Sequence, residues 1–191
     1  MRAVLSHSRQ DHLAMFPSDT EELAATAAGF LREVMQAGGV GIVVATGPHR
    51  RRIERQLADS GIDLAVAAAK GSYIVLDAAL TMRSFMVNGW ADPAAFYRVI
   101  SPVLKKAGRH RRAVHVFSEM VALLWEAEQY SAALDVEALW TEMGKQHRFD
   151  LLCAYPEAPA GGARDDELEL VLCAHRRTIG SRQPQNQFQT A

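Results

Sequence analysis

The chain has only two cysteines among its 191 residues, and it has no long apolar run. Cys153 and Cys173 lie in separate apolar segments, so they lack the Cys-x-x-Cys spacing of common zinc and redox motifs. No apolar stretch reaches the ~18 residues that a membrane-spanning helix needs. The first residues are too polar for a signal peptide. We therefore expect a cytoplasmic protein with buried, reduced thiols and no contact with a membrane.

The chain also has little net charge, −1 at pH 7, and therefore no overall field that attracts nucleic acid or anionic lipid. Its basic stretch at 105–112 contains no aromatic residue on which a base could stack. We interpret this stretch as a solvated connector and not as a nucleic-acid site. Direct binding to nucleic acid is not expected.

Motifs of nucleotide and hydrolase chemistry are absent as well. A phosphate loop ends in Gly-Lys-Ser/Thr at a helix start, but the single Gly-Lys pair, Gly144-Lys145, is followed by glutamine. The glycines at 38–41 precede a predicted strand, whereas a dinucleotide-binding fingerprint follows one. No Gly-x-Ser-x-Gly elbow occurs. We expect no enzymatic activity and no cofactor.

What the chain does contain is an alternation of short apolar runs with helical periodicities. The run at 40–45 has no polar face, which is typical of a central strand covered on both sides. The alternation predicts one α/β domain whose mostly parallel sheet has helices on both faces. Strands are predicted at 12–16, 40–45, 61–66, 73–76, 113–117, 149–155 and 168–174.

The predicted end of the domain departs from this parallel pattern. The last two strands, at 149–155 and 168–174, are joined by a turn-rich segment and are predicted to pair antiparallel at one edge of the sheet. Within the helices, Pro102 is predicted to kink its helix or to end it early. The domain is expected to span 10–178, after an N-terminal tail at 1–9 and before a disordered tail or linker at 179–191.

Polar residues follow two of the predicted strands, at the edge where α/β proteins bind ligands. Glu119 is either a carboxylate that stabilises the start of the next helix or a hydrogen-bond acceptor at the mouth of a crevice. Ser118, beside it, is a helix cap or a second polar contact. Thr46, which follows the strand at 40–45, has the same two interpretations.

Metal ligands are not expected. The seven histidines form no His-x-His or His-x-x-x-His pair. A composite site built from residues distant in the sequence is the less favoured alternative.

Three segments resemble the MEDS domain, the sensory domain of methanogen and methylotroph regulators. They are Val116-Phe-Ser-Glu-Met-Val-Ala-Leu-Leu-Trp125, Val136-Glu-Ala-Leu-Trp140 and Leu151-Leu-Cys-Ala-Tyr-Pro156. The resemblance covers about residues 10–178. It implies a RecA- or KaiC-like fold that has lost the phosphate loop, and a role in sensing small organic compounds for kinase or DNA-binding output domains.

The same resemblance adds two histidines to the candidate site. His12 and His49 match histidines of the family pattern, so the ligand-binding residues implied are Glu119, Ser118, His12, Thr46 and His49. A structural role beside a strand is the alternative for His12. Ser118 departs from the family, which usually has glycine there.

We therefore expect a non-catalytic, cytoplasmic, bacterial sensory domain that binds a small organic molecule. It acts in signal transduction or transcriptional regulation. No output domain is recognised after residue 180, so the partner is expected to be another signalling protein or a second copy of the chain. Two alternatives stay open: an interaction module in a kinase or sigma-factor system, and a degenerate, ATPase-like nucleotide-binding domain.

Overall fold

The computed structural model describes residues 10–156, 175 and 177–180, and within these ranges the chain alternates strands with helices. The strands are β1 (His12–Phe16), β2 (Val40–Ala45), β3 (Tyr73–Asp77), β4 (Met86–Val87), β5 (Trp90–Ala91), β6 (Val114–Ser118), β7 (Asp150–Ala154) and β8 (Arg177–Gly180). The helices are α1 (Thr20–Gln36), α2 (Gly47–Asp59), α3 (Leu64–Ala69), α4 (Ala78–Arg83), α5 (Pro93–Ala107), α6 (Met120–Glu126) and α7 (Tyr130–Gln146).

Six of the strands form one sheet, in the order β3-β2-β6-β7-β1-β8, and every pairing within it is parallel. Strand β2 shows why both faces are covered. Its Ile42 and Val44 pack into one apolar core and Val43 into a second core on the opposite face, because successive side chains of a strand point to opposite sides. The predicted α/β fold with helices on both faces is confirmed.

The position predicted for the 149–155 strand is wrong. This strand, β7, lies inside the sheet and pairs parallel with both β6 and β1. A short apolar run in the sequence can belong to an internal strand or to an edge strand. Only the hydrogen-bonded pairing in the structure shows which of the two it is. Its predicted partner at 168–174 lies outside the described residues, as do 1–9 and 181–191. The described strand at that edge, β8, is parallel to β1 and continues to Gly180, two residues past the predicted domain end.

The antiparallel pair that the structure describes is elsewhere, in the hairpin β4–β5. Its two-residue turn, Asn88-Gly89, has φ values of 52° and 83°. Asparagine and glycine tolerate these left-handed conformations, which a tight hairpin turn requires.

One further local prediction is wrong, and one of the two outcomes predicted for Pro102 does not occur. The segment predicted as a strand at 61–66 instead leads into helix α3, where Asp63 accepts a hydrogen bond from the Val66 amide and a run of alanines favours helix. Helix α5 does not end at Pro102 but continues to Ala107, because Phe96, Ile100 and Leu104 anchor one face of it in the core. Within the described ranges, no helix combines the length and apolarity needed to cross a bilayer.

Candidate functional site

A pocket of about 480 Å³ lies at the carboxyl edge of the sheet. It forms there because β1, β2, β6 and β7 are parallel, so the segments that follow them meet at one edge. Most of the surface is apolar, and the polar groups are few. The polar side chains of the lining include Asp19, Thr46, His49, Glu119, Glu126 and Tyr155.

Glu119 is the central polar group of this pocket. Its side chain is only 2% exposed. One carboxylate oxygen, Oε1, accepts a hydrogen bond from the Thr46 amide, and Oε2 lies 2.6 Å from His49 Nδ1. Glu119 is the N-cap residue of α6, but its carboxylate makes no capping hydrogen bond to that helix. Glu119 instead joins the end of β6 to the start of α2.

The other residues of the expected site have unequal roles. His49 is 28% exposed and covers the carboxylate from the pocket side. Thr46 lines the pocket and contributes its amide, while its side chain makes no capping bond to α2. Ser118 is fully buried, and its hydroxyl lies 3.4 Å from the Met120 amide, where it supports the start of α6.

His12 does not belong to this group. It begins β1, whereas the pocket lies beyond the other end of that strand, about 13 Å away at the usual rise per residue. Only the family resemblance had placed His12 in the site, since the sequence pattern puts it at the start of its strand and ligands bind where parallel strands end. Of the expected residues, the structure brings together Thr46, His49 and Glu119, with Ser118 beneath them.

The pocket has a negative character. Its described lining includes three carboxylates, on Asp19, Glu119 and Glu126, and neither lysine nor arginine. The two helices that begin here already receive carboxylates of the protein itself. Asp19 accepts bonds from two amides of α1, and Glu119 accepts one from the start of α2. Helix N-termini otherwise attract phosphate, so this arrangement suits a neutral or cationic ligand better than an anion.

His12 belongs to a second polar cluster, inside the core between the sheet and α7. Its Nε2 lies 2.9 Å from Glu137 Oε2. His175 Nε2 is 3.5 Å from the same oxygen, and Cys153 Sγ is 3.7 Å from it. The Tyr155 hydroxyl donates to the other oxygen, Oε1. Four side chains from distant parts of the chain therefore surround one buried carboxylate.

The electrostatics of this cluster follow from burial and pairing. Burial on its own would raise the pKa of Glu137, but hydrogen bonds from His12 and His175 and their charges outweigh it and lower that pKa far below its ordinary value. Burial, together with the negative Glu137, raises the pKa of the Cys153 thiol and of the Tyr155 hydroxyl well above their ordinary values. The thiol and the hydroxyl thus stay protonated beside the carboxylate.

Glu137 was missed from the sequence, although its position carries a recognisable pattern. It stands on the same helical face as Ala133 and Trp140, four and three residues away respectively, and both are buried. A charged residue in the middle of an apolar helical stripe predicts a buried, paired carboxylate. Its partners could not be predicted, because they are more than a hundred residues away or belong to other elements.

Comparison with known proteins gives a family and a fold. The model of one family, MEDS (MEthanogen/methylotroph, DcmR Sensory domain), matches residues 11–176, close to the predicted 10–178. A solved KaiC-like protein from the hyperthermophilic archaeon Pyrococcus horikoshii OT3 is similar, with a TM-score of 0.56 and 18% identity over 90% of this chain and 73% of that one. At this identity the likeness shows the fold alone. No curated protein matches.

Proposed function

Since this chain belongs to the MEDS family of sensory domains, we propose that it binds a small organic molecule in the pocket at the carboxyl edge of its sheet. The molecule is bound and not transformed. The observation that carries the proposal is the buried pair of Glu119 and His49 at the wall of a mostly apolar pocket. Apolar walls with a few placed polar groups are typical of small-molecule sites.

The charge of the lining narrows the class of ligand. An anion would face three carboxylates and no described basic side chain except His49. A neutral molecule with one hydroxyl, thioether or amine group, or a small organic cation, meets no such repulsion. Its polar group would bond to His49 or Glu119, and its apolar part would contact residues such as Leu23 and Leu123.

The position of Glu119 also supplies a way to report occupancy. Its carboxylate holds the first turn of α2 through Thr46 and His49, while its backbone amide donates to Val44 in β2. A ligand that bonds to His49 competes with the contact between His49 and Glu119. Binding therefore shifts the preferred position of α2 relative to β6. A sensory response requires such a ligand, one that binds one arrangement of the two elements more tightly than the other.

The proposal also includes the cellular compartment and the kind of pathway in which the domain acts. The free, buried Cys153 thiol supports a reducing, cytoplasmic setting. We place the domain in bacterial signal transduction or transcriptional regulation, where a partner protein or a second copy of the chain receives the response.

The experiment is a thermal-shift screen of the purified chain with small amines, alcohols and thioethers at millimolar concentration, followed by calorimetric titration of the molecules that stabilise it. A ligand at about 100 times its Kd should raise Tm by about 5–10 °C. Glu119→Gln should weaken that binding, since the amide carries no negative charge and its NH2 group can bond to His49 Nδ1 only when that nitrogen is an acceptor. Glu142→Gln, an exposed glutamate of α7, is the matched control and should bind normally.

Unchanged binding in Glu119→Gln would show that the pocket is assigned wrongly. The ATPase-like alternative is tested by titrating ATP, ADP and GTP. Micromolar affinity for any of them would overturn the proposed preference for neutral or cationic ligands.

The interaction-module alternative is favoured by one observation. On the hairpin β4–β5, Val87 and Trp90 are paired across the strands and are 55% and 58% exposed. Light scattering during size-exclusion chromatography would test self-association. A concentration-dependent dimer that Trp90→Ser abolishes would support this alternative, and a monomer at all concentrations would argue against self-association.

A further inference from the structure

The buried cluster around Glu137 has a geometry that the proposed sensory function does not use. It brings one carboxylate, one thiol and two imidazoles together, and all four potential ligand atoms lie within 4.8 Å of one another. Each comes from a different part of the fold: β1, α7, β7 and the residue that precedes β8 by two positions. The residues are His12, Glu137, Cys153 and His175.

The distances match a tetrahedral arrangement. Zinc ligands at their usual bond lengths stand about 3.4–3.6 Å apart on the edges of a tetrahedron. Around Glu137 Oε2, His12 Nε2 is at 2.9 Å, His175 Nε2 at 3.5 Å and Cys153 Sγ at 3.7 Å. Cys153 Sγ is also 3.7 Å from His12 Nε2. Since the four ligand atoms lie within 4.8 Å of one another, side-chain shifts of up to about an ångström would bring them to the edges of such a tetrahedron, with one cation at bonding distance from all four.

The charges also balance. A divalent cation that displaces the Cys153 thiol proton to solvent is held by one thiolate, one carboxylate and two neutral imidazoles, which gives a site with no net charge. This matters because an uncompensated charge in the core costs several kcal/mol. The side chains of Glu137 and His175 are 2% and 0% exposed, and that of His12 is 17% exposed. His12 therefore gives the cation a route in from solvent.

A further contact orients the carboxylate for this role. The Tyr155 hydroxyl donates to Glu137 Oε1, which leaves Oε2 directed at both imidazoles and at the thiol. Hydrogen bonds of this kind fix the orientation of ligands in metal sites. Tyr155 also lines the organic-ligand pocket, so its side chain contacts both sites.

We propose that His12, Glu137, Cys153 and His175 form a closed, four-ligand site for a zinc-class divalent cation. The mixture of nitrogen, sulfur and oxygen ligands is the set that zinc prefers, and four protein ligands leave no open position for catalysis. The cation ties α7 and the start of β8 to the centre of the sheet. This inference departs from the expectation of no metal site, which considered the spacing of residues along the chain and not in space.

The test uses the intact chain. Purified protein is stripped with a chelator, loaded with zinc or cobalt, desalted and measured for metal content. We expect about one equivalent of zinc, as one closed four-ligand site requires. We also expect the intense visible bands of tetrahedral cobalt, together with a thiolate-to-cobalt charge-transfer band. Zinc loading should raise Tm by at least about 5 °C over the chelated protein.

Matched variants identify the ligands. Cys153→Ala should abolish the charge-transfer band, whereas Cys173→Ala, at the other cysteine of the chain, should keep it. Glu137→Gln and His12→Ala should each lower the zinc affinity at least about tenfold, since one of four ligands is lost. His110→Asn, which changes an exposed histidine with φ of 60°, is the control and should bind as the unchanged chain does.

Two results would overturn the proposal. One is a folded, unchanged chain that retains no zinc above the buffer blank, which would make the cluster a hydrogen-bonded one only. The other is a charge-transfer band that survives in Cys153→Ala. The first result is obtained with the unchanged chain. The proposal can therefore be refuted even if every variant fails to fold.

Discussion

Two glutamates with nearly the same burial occupy opposite environments in this fold. Glu119 and Glu137 are 2% and 1% exposed, and each contacts a histidine. Glu119 is at the wall of a pocket, and one of its oxygens accepts from a backbone amide. Glu137 is enclosed on all described sides by the side chains of His12, Cys153, Tyr155 and His175.

The difference teaches that burial does not define the role of a charged residue. The groups around Glu119 leave its histidine partly open to a ligand, so its contacts can be exchanged. The groups around Glu137 point inward and leave water little access, so its contacts are fixed. Partners that can be exchanged suit sensing, and fixed partners suit a structural centre.

The strongest test of this contrast is Glu137→Ala, measured by urea unfolding at neutral pH with a chelator present. Removing one member of a buried charged cluster costs about 3–5 kcal/mol of unfolding free energy, because the remaining polar groups stay buried without their partner. A loss below about 1 kcal/mol, the range of an exposed ion pair, would show that the cluster does not hold the core together.

Glu119→Ala should have a smaller effect, about 1–3 kcal/mol in the same measurement. It leaves the Thr46 amide without its acceptor, but the adjoining pocket lets water take that place. If this variant were as destabilised as Glu137→Ala, the distinction between an open and a closed carboxylate would fail.

Tyr155→Phe should lower the unfolding free energy by about 1.5 kcal/mol, the lower end of the net value of a hydrogen bond to a charged group. The change removes only the hydroxyl that donates to Glu137 and keeps the ring that packs against Trp125 and Phe16. In the Glu137→Ala background the same change should cost almost nothing, since its acceptor is gone. Equal losses in both backgrounds would assign the effect to packing.

The pH dependence of stability provides the finest distinction. The slope that Glu137 adds to the curve of unfolding free energy against pH appears only in acid and is absent at neutral pH. The pKa of folded Glu137 lies below its ordinary value of 4.5, so its stabilising contribution is fully present above that value. The contribution is lost as the pH falls from 4.5 toward the lower pKa of the folded state. Glu137→Gln should therefore show a flatter loss of stability below pH 4.5 than Glu142→Gln, measured by unfolding at a series of pH values. If the unfolding free energy of the two variants fell in parallel below pH 4.5, the role assigned to the Glu137 carboxylate would be wrong.

Much of the fold could be predicted from local patterns. The unbroken apolar run of β2 predicted a central strand, which the structure confirms. The position of β7 could not be predicted, because its neighbours β6 and β1 come from distant parts of the chain. Likewise, the alanine-rich α3 was mistaken for a strand because its apolar run is too short to show a period.

The candidate site divides in the same way. Thr46 and Glu119 follow strands, and parallel strands bring such residues to one edge whatever the order of the sheet. The sequence by itself therefore determined the α/β alternation, the lack of a phosphate loop and the polar groups at the strand ends. Only the tertiary structure decided that His12 faces Glu137 and that His49 covers Glu119. Local spacing determines which face of an element is buried, whereas contacts between elements depend on how distant strands and helices pack.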